Sequence, residues 1–432
     1  MKSKLLLTAA ALAAPIAFAQ PVLAKPFGGP VKVSPELTID PILDARLRYE
    51  NVDQPATDAE AVTLRIRSGV EIKHVPSNLA FLAEAEATLG ILKDYNAYPG
   101  SLGLTNPPVG QLRPGFSVVA DPENIELNRL QLQYKGKAVT VTVGRQRINL
   151  DDQRFVGSVG WRQNEQTFDA VRGEAKIGPV MLDATYSISQ RGIWGYDARE
   201  RTAMDGDFFF LGAGGKLGPI QVKAVGYLLD YDLKETVPAP AALSKQIADS
   251  QTYGLRAVGT FKLAPKLGLV VTGSYARQSA YQDNGLDFDG DYILGEAALS
   301  YAGFTLTGGW EQLGSDATVA GRRAVQTPMA TLHKFNGWAD MFLVTPDNGL
   351  QDAYVGLGYK FDKVKALPGL NAVVTWHQYD SDFGDIEFGT EWNASIGFKL
   401  GPVGLLAKYA DYNAVGLGPD TRKFWLQAEY SF

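Results

Sequence analysis

The chain has 432 residues, a formal net charge of −6, 45% hydrophobic and 20% charged residues, and no cysteine. The acidic balance argues against wholesale binding to nucleic acid, and the lack of Cys excludes disulfides, thiol nucleophiles and cysteine metal sites. Beyond the first residues no apolar run reaches the length of a membrane-crossing helix, while 11% aromatics and 46 glycines suit a sheet protein with many tight turns.

The amino terminus reads as a secretory leader. Lys2 and Lys4 precede the apolar run "LLLTAAALAAPIAFA", and Val22–Ala24 offers small residues for cleavage, with Ala17–Ala19 as a second possible cut. Cleavage after Ala24 leaves 39 basic against 47 acidic residues, a net −8. Residues 25–36, with Pro26 and Pro35, are expected to form a short periplasmic segment, and residues 37–432 one barrel domain.

From residue 37 onward the dominant pattern is period two. Leu43, Ala45, Leu47 and Tyr49 alternate with Asp44, Arg46, Arg48 and Glu50. The next segment sets Val62, Leu64, Ile66, Val70 and Ile72 against Thr63, Arg65, Arg67, Glu71 and Lys73. Successive strand side chains point to opposite faces, so each segment has an apolar and a polar side. Eighteen such segments follow one another: 37–50, 62–74, 79–91, 125–135, 138–148, 167–176, 180–190, 207–217, 220–231, 251–263, 267–279, 291–301, 303–313, 351–361, 371–380, 389–400, 403–413 and 421–432. Many approach the ten or so residues that a tilted strand needs to cross a bilayer.

The connections alternate short and long. Short ones include "KGK", "KIGP", "KLGP", "AG" and "GP"; long ones include 92–124, 149–166, 232–250 and 314–350. Up-and-down outer-membrane barrels sort their connections this way, with short periplasmic turns and longer outer loops. The predicted fold is therefore an all-β, antiparallel transmembrane barrel of about eighteen strands. The apolar face includes Tyr49, Tyr134, Tyr186, Trp310, Trp392, Tyr409 and Tyr430, candidates for an aromatic girdle. The terminal Phe432 resembles the signal read by the barrel-assembly machinery, and lipid with lipopolysaccharide would surround the wall.

With the apolar face toward lipid, Arg46, Arg48, Arg65 and Arg67 point inward, and closure brings Lys423 and Lys408 alongside. Glu84 and Glu86 oppose them, and Arg129, Arg172, Asp183, Lys223, Arg256, Glu296 and Glu311 follow around the lumen. Part of these ions pair with one another. The remainder make an anion path, because Arg stays charged and its planar fork takes carboxylates bidentately.

The stretch "GRQRINLDDQRFVGSVGWRQNEQTFDAVR", Gly144–Arg172, carries five arginines and no Lys. Strict alternation would turn Arg145 and Arg147 to lipid, at a cost. The expected remedy is a bulge at Gly144 that resets the phase; a position above the bilayer is the other. Arg145, Arg147, Arg154 and Arg172 are then expected to converge on a constriction, oriented by Asp151, Asp152 and Asp169; a closed salt-bridge network is the competing reading.

This stretch resembles the central signature of the alginate export family of outer-membrane porins. "QTPMATLHKFNGWADMFLVTPDNGLQDAYVGLGYKF", Gln326–Phe361, resembles the family's late loop-and-strand block, and "LLAKYADYNA" with "FWLQAEYSF" its terminal hairpin. The resemblance implies an eighteen-stranded monomeric barrel that passively passes an anionic polysaccharide such as alginate. It implies pore arginines at Arg65, Arg129, Arg145, Arg147, Arg154 and Arg172. The alternative is a diffusion porin for uptake of small anionic solutes.

Other chemistry is weakly signalled. Asp287, Asp289 and Asp291 have calcium-like spacing but misplace the glycine of an EF-hand, so a solvated loop is expected. The histidines are His74, His333 and His377, and no G-x-S-x-G occurs. Neither an enzyme, a cofactor nor a resident metal is expected.

Overall fold

The computed structural model describes residues 29–104, 107–232, 247–282, 287–319 and 323–431. The leader, its cleavage site and Phe432 lie outside them. Eighteen long strands form one closed antiparallel sheet. In chain order they are β1 Leu37–Asp53, β2 Asp58–His74, β3 Leu79–Asp94, β4 Asn124–Lys135, β5 Val139–Gln146 and β6 Thr167–Ile177. There follow β7 Val180–Arg191, β8 Ala203–Leu217, β9 Ile220–Tyr231, β10 Ser250–Ala264, β11 Leu267–Ala280 and β12 Asp289–Tyr301. The circuit ends with β13 Phe304–Leu313, β14 Leu350–Lys360, β15 Asn371–Asp380, β16 Glu387–Leu400, β17 Val403–Ala414 and β18 Thr421–Ser431. Closure pairs β18 with β1, from Ser431 opposite Asp44 to Arg422 opposite Asp53. A closed sheet leaves no strand edge unpaired, which a bilayer demands because it offers no water to unpaired amides. Among the described residues no helix is long and apolar enough to cross a membrane.

All eighteen predicted segments are strands, and several run longer than alternation alone indicated. Three of the short turns are built by a recurring Lys-(Ile/Leu)-Gly-Pro sequence. Gly178, Gly218 and Gly401, each followed by Pro, take φ of 59°, 62° and 58°, a conformation that glycine adopts without strain. At the other end the strands overshoot. Their outward tyrosines hydrogen-bond acids one step higher: Tyr49 donates to Glu60 at 3.0 Å, Tyr275 to Asp291 at 2.8 Å and Tyr409 to Asp411 at 3.3 Å. Leu47, Phe81, Leu132, Val271, Leu306, Leu357 and Leu426 lie between these ends and are exposed on the outer wall, where lipid covers them.

The interior is filled by long loops. The segment between β3 and β4 packs Tyr95, Tyr98, Leu102 and Val119 against Val52, Ala59 and Ala61 near the loop end of the wall. Residues 147–166, between β5 and β6, fold inward, and residues 323–349, between β13 and β14, fold in to meet them. Gly157 N donates to Met329 O at 2.8 Å and Thr331 N to Gln153 O at 3.1 Å. Their apolar side chains complete two interior clusters, one around Phe168, Phe208, Phe210 and Tyr227, the other around Tyr292, Phe342, Tyr379, Tyr412 and Trp425.

Candidate functional site

The inward arginines of β1 and β2 are buried, and each has partners. Arg46 pairs with Glu429 at 2.8 Å and donates to the carbonyls of Gly160 and Trp161, both at 3.0 Å. Arg48 donates to Trp161 O at 2.5 Å and to Gln427 at 2.7 Å, and its guanidinium lies 4.0 Å from the Trp161 ring centroid. Arg65 pairs with Asp44 and Glu429, and Arg67 with Glu86 and Glu165. All four face the lumen, and Arg46 and Arg48 also hold the inner loop against the wall by its carbonyl oxygens. Burial leaves Arg65 Nε and Nη1 and Arg67 Nη2 without an acceptor among the described residues.

Arg129 grips Glu84 with two bonds of 2.8 and 2.6 Å, and Arg147 reaches Glu84 at 3.2 Å and Glu165. Glu165 is buried in the inner loop. Burial works to raise its carboxyl, but Arg147 and Arg67 outweigh it and hold it at about 2. Arg256 pairs with Asp152 at 2.7 Å.

The expectations for the arginine-rich stretch need correction. Pairing runs through Gly144 without a bulge: Val143, Gly144 and Arg145 face Val171, Ala170 and Asp169 in unbroken register. Arg145 thus keeps the outward phase, and its guanidinium is neutralised by Asp169 at 2.7 and 2.8 Å near the loop end of β5. It does not line the lumen. Arg147 does, because the chain leaves the sheet after Gln146 and alternation no longer applies. Nor do the four arginines converge. Arg154 crosses to Glu311 on β13 at 2.9 Å, whereas Arg172 faces inward beside Glu174 at 2.9 Å. The orienting acids are likewise dispersed: Asp151 pairs with Lys223 at 3.1 Å, Asp152 with Arg256, and Asp169 with Arg145.

Arg154 is instead a three-way tie. Its Nε donates to Glu311, its Nη1 to Thr327 at 3.1 Å and its Nη2 to Asn336 at 3.1 Å, so one side chain joins the inner loop, the late loop and the wall. Arg162 makes a second tie, to Glu50 at 3.1 Å and to Asp340 at 2.8 Å. A third comes from Glu391 on β16, which accepts from the main-chain N–H groups of Trp338 and Ala339 at 2.5 and 2.9 Å. Gly337 permits that approach. Its φ is 85°, and a Cβ there would lie 2.2 Å from Glu391 Oε2.

Two tryptophans that the sequence did not single out, Trp161 and Trp425, sit at the centre with His333 and Lys408. Trp161 stacks on His333 with centroids 4.7 Å apart and an interplanar angle of 5°, and Trp425 packs edge-on to both at 5.8 Å. His333 Nδ1 lies 2.6 Å from Asp340 and its Nε2 2.6 Å from Lys408 Nζ. An ammonium has only hydrogens to offer and a carboxylate only lone pairs, so Nε2 accepts and Nδ1 donates. Burial keeps this imidazole neutral, its value well below the usual one despite Asp340. The available signal was the apolar content of two long outer loops, each with a Gly-Trp pair, Gly160–Trp161 and Gly337–Trp338.

His333 lines two cavities. The inner one, about 610 Å³, extends toward the short-turn end past Asn371 and Lys399, and its lining includes eight Lys and Arg against four acids. The outer one, about 450 Å³, lies among the loops and is lined mainly by apolar side chains such as Leu102, Trp194, Met204 and Leu343. Among the described residues no group of His, Cys, Asp and Glu could hold a metal ion.

A closed eighteen-stranded wall, apolar outside and charged within, with loops folded into its lumen, defines an outer-membrane barrel of the porin type. Solved structures agree on the fold. Pseudomonas aeruginosa OpdL superposes with a TM-score of 0.65 at 17% identity, over 91% of this chain and 98% of that one. Acinetobacter baumannii OccAB3 gives 0.66 at 17% identity, over 91% and 99%. Pseudomonas aeruginosa OccK2 (OpdF), solved in complex with glucuronate, gives 0.65 at 13% identity, over 91% and 98%. The alginate export family profile matches residues 93–225, a span that holds the arginine-rich stretch on which the sequence resemblance rests. No relative is found among curated proteins.

Proposed function

We propose that the protein gives passive, anion-favouring passage across the outer membrane, acting as a monomer on small carboxylates such as uronates. The observation that carries this reading is the inner cavity, whose eight cationic side chains face four acids. Such an excess raises the local anion concentration and lowers that of cations. The glucuronate in OccK2 (OpdF) supports a sugar acid as the probe. The loop ties described above leave separate cavities in the lumen, which favours small solutes over polymers.

A second reading, passage of an anionic polysaccharide such as alginate, is favoured by the family profile across residues 93–225. It requires the inner and late loops to move aside. In either case the leader 1–24, the segment 25–36 and recognition of Phe432 by the assembly machinery belong to the same proposal. Reversal potentials in a KCl gradient across planar bilayers test the anion preference, and added oligouronates separate the readings. Monouronate transit with oligomer exclusion supports the first; transient oligomer block followed by transit supports the second; a cation preference refutes both.

A further inference from the structure

Lys408 presents an unusual arrangement. It projects inward from β17, is buried, and lines the inner cavity. Among the described residues no carboxylate pairs with it. Its Nζ is held instead by the imidazole of His333 at 2.6 Å and lies 4.1, 3.8 and 5.4 Å from the ring centroids of Trp161, Trp338 and Trp425. Three indole faces attract an ammonium through their quadrupoles, and the imidazole takes one of its three hydrogens. Arg48 lies 4.0 Å from the same Trp161 ring, so this indole has two cations beside it.

The position in the lumen gives this cluster its meaning. His333 borders both cavities, and Trp161, stacked on it with centroids 4.7 Å apart, lines the inner one. A buried cation with no carboxylate in direct contact, Asp340 being held across the His333 ring, is costly, and the indoles compensate it less well than a carboxylate does. We propose that this stacked pair forms a septum between the two cavities and that Lys408 is its opening element. A small carboxylate arriving in the inner cavity pairs with its ammonium and draws it off the His333 nitrogen and the indoles. The Trp161–His333 stack, having lost the cation that pins it, parts toward the outer cavity. Lys408 is thereby a specificity-determining residue: it admits solutes that bring a carboxylate. The inference rests on reading the lumen as an anion path.

The test uses the purified full-length barrel in planar bilayers, with D-glucuronate on the side that the inner cavity faces. Wild-type current in KCl is expected to rise several-fold on addition of glucuronate. In Lys408→Met, whose stem fills the same space without charge, the ratio of current with and without glucuronate should fall to about one. Lys408→Gln carries the same expectation, so the outcome does not rest on the folding of one variant. Trp161→Ala should raise the current before any glucuronate is added. A wild-type current indifferent to glucuronate, or variants at Lys408 that respond as the wild type does, overturns the inference. Reversal potentials are read in the same bilayers. An anion-selective channel with no Lys408-dependent response sinks the septum alone; a channel with no anion preference sinks the anion path beneath it.

Discussion

Replacing Arg154 with Ala removes the tie between the two inward loops and β13. Three side-chain hydrogen bonds disappear, to Glu311, Thr327 and Asn336. Glu311 stays buried, without the cation that balanced it, although Tyr292 at 2.8 Å and Asn336 at 2.7 Å still donate to it. Breaking a buried pair from one side costs about 3–5 kcal/mol. The two remaining donors place this case at the low end, about 3 kcal/mol. At about 1.4 kcal/mol per factor of ten, that is a shift of roughly 100-fold in the ratio of docked to undocked loops. Because the lost contacts hold loops and not neighbouring strands, the wall should melt nearly as before. Hydrogen exchange is the assay, read by mass spectrometry on peptides covering 147–166 and 323–349. Both should lose protection together while strand peptides keep theirs, and Arg154→Lys, which keeps charge but not the fork, should fall between. Unchanged protection in both loops would refute the idea that Arg154 holds them. A loss confined to 147–166 would show that the late loop is seated without it.

Replacing Arg46, Arg48, Arg65 and Arg67 with Gln should lower the anion preference at low salt, read as reversal potential. The wild-type preference should fade between 0.1 and 1 M salt, as the Debye length shrinks from about 10 to about 3 Å. Gly337→Ala should unseat the late loop from Glu391 and raise its hydrogen exchange without affecting barrel insertion. Arg145→Gln should leave selectivity unchanged and cost at most about 1 kcal/mol, since its pair with Asp169 stands on the outer wall near the loops. Glu165 gives an acid limit. Its folded value, about 2, is depressed from the ordinary carboxylate range, so its contribution to loop docking is complete above about pH 4.3. That contribution is lost as pH falls toward 2. Loop protection should drop over this interval in the wild type, and less steeply in Glu165→Gln.

The wall was legible because lipid imposes a strict rule. Each crossing strand must turn alternate side chains outward, so Leu47, Ile66 and Leu426 announce their faces whatever lies in the lumen. The Lys-(Ile/Leu)-Gly-Pro turns announce the other constraint. The interior was less legible, since contacts between distant segments decide it. Alternation placed Arg46, Arg48, Arg65 and Arg67 inward, but nothing local says that Arg46 caps loop carbonyls. Arg145 was misread because an outward charge looks forbidden until Asp169 stands beside it in register. Arg154 and Arg172 are close in sequence and were expected to share a task, yet one crosses to Glu311 and the other stays on its strand. Trp161, His333 and Lys408 are each unremarkable alone; their meeting requires the barrel to have closed.

That dependence sets an order of assembly. The main-chain and side-chain bonds joining the inner loop to the late one span 163 to 182 residues, as in Gln166 to Met329 and Lys334 to Asp152. Arg46, which holds the inner loop by its carbonyls, is fixed by Glu429, 383 residues away across the seam. Contacts of such separation form late, after the chain between them is placed. The pairs between neighbouring strands, Arg46 with Glu429 among them, form with the wall, and the bonds between the two loops follow once both loops are placed. The sealing of the lumen is then expected to be a maturation step that follows closure of the wall.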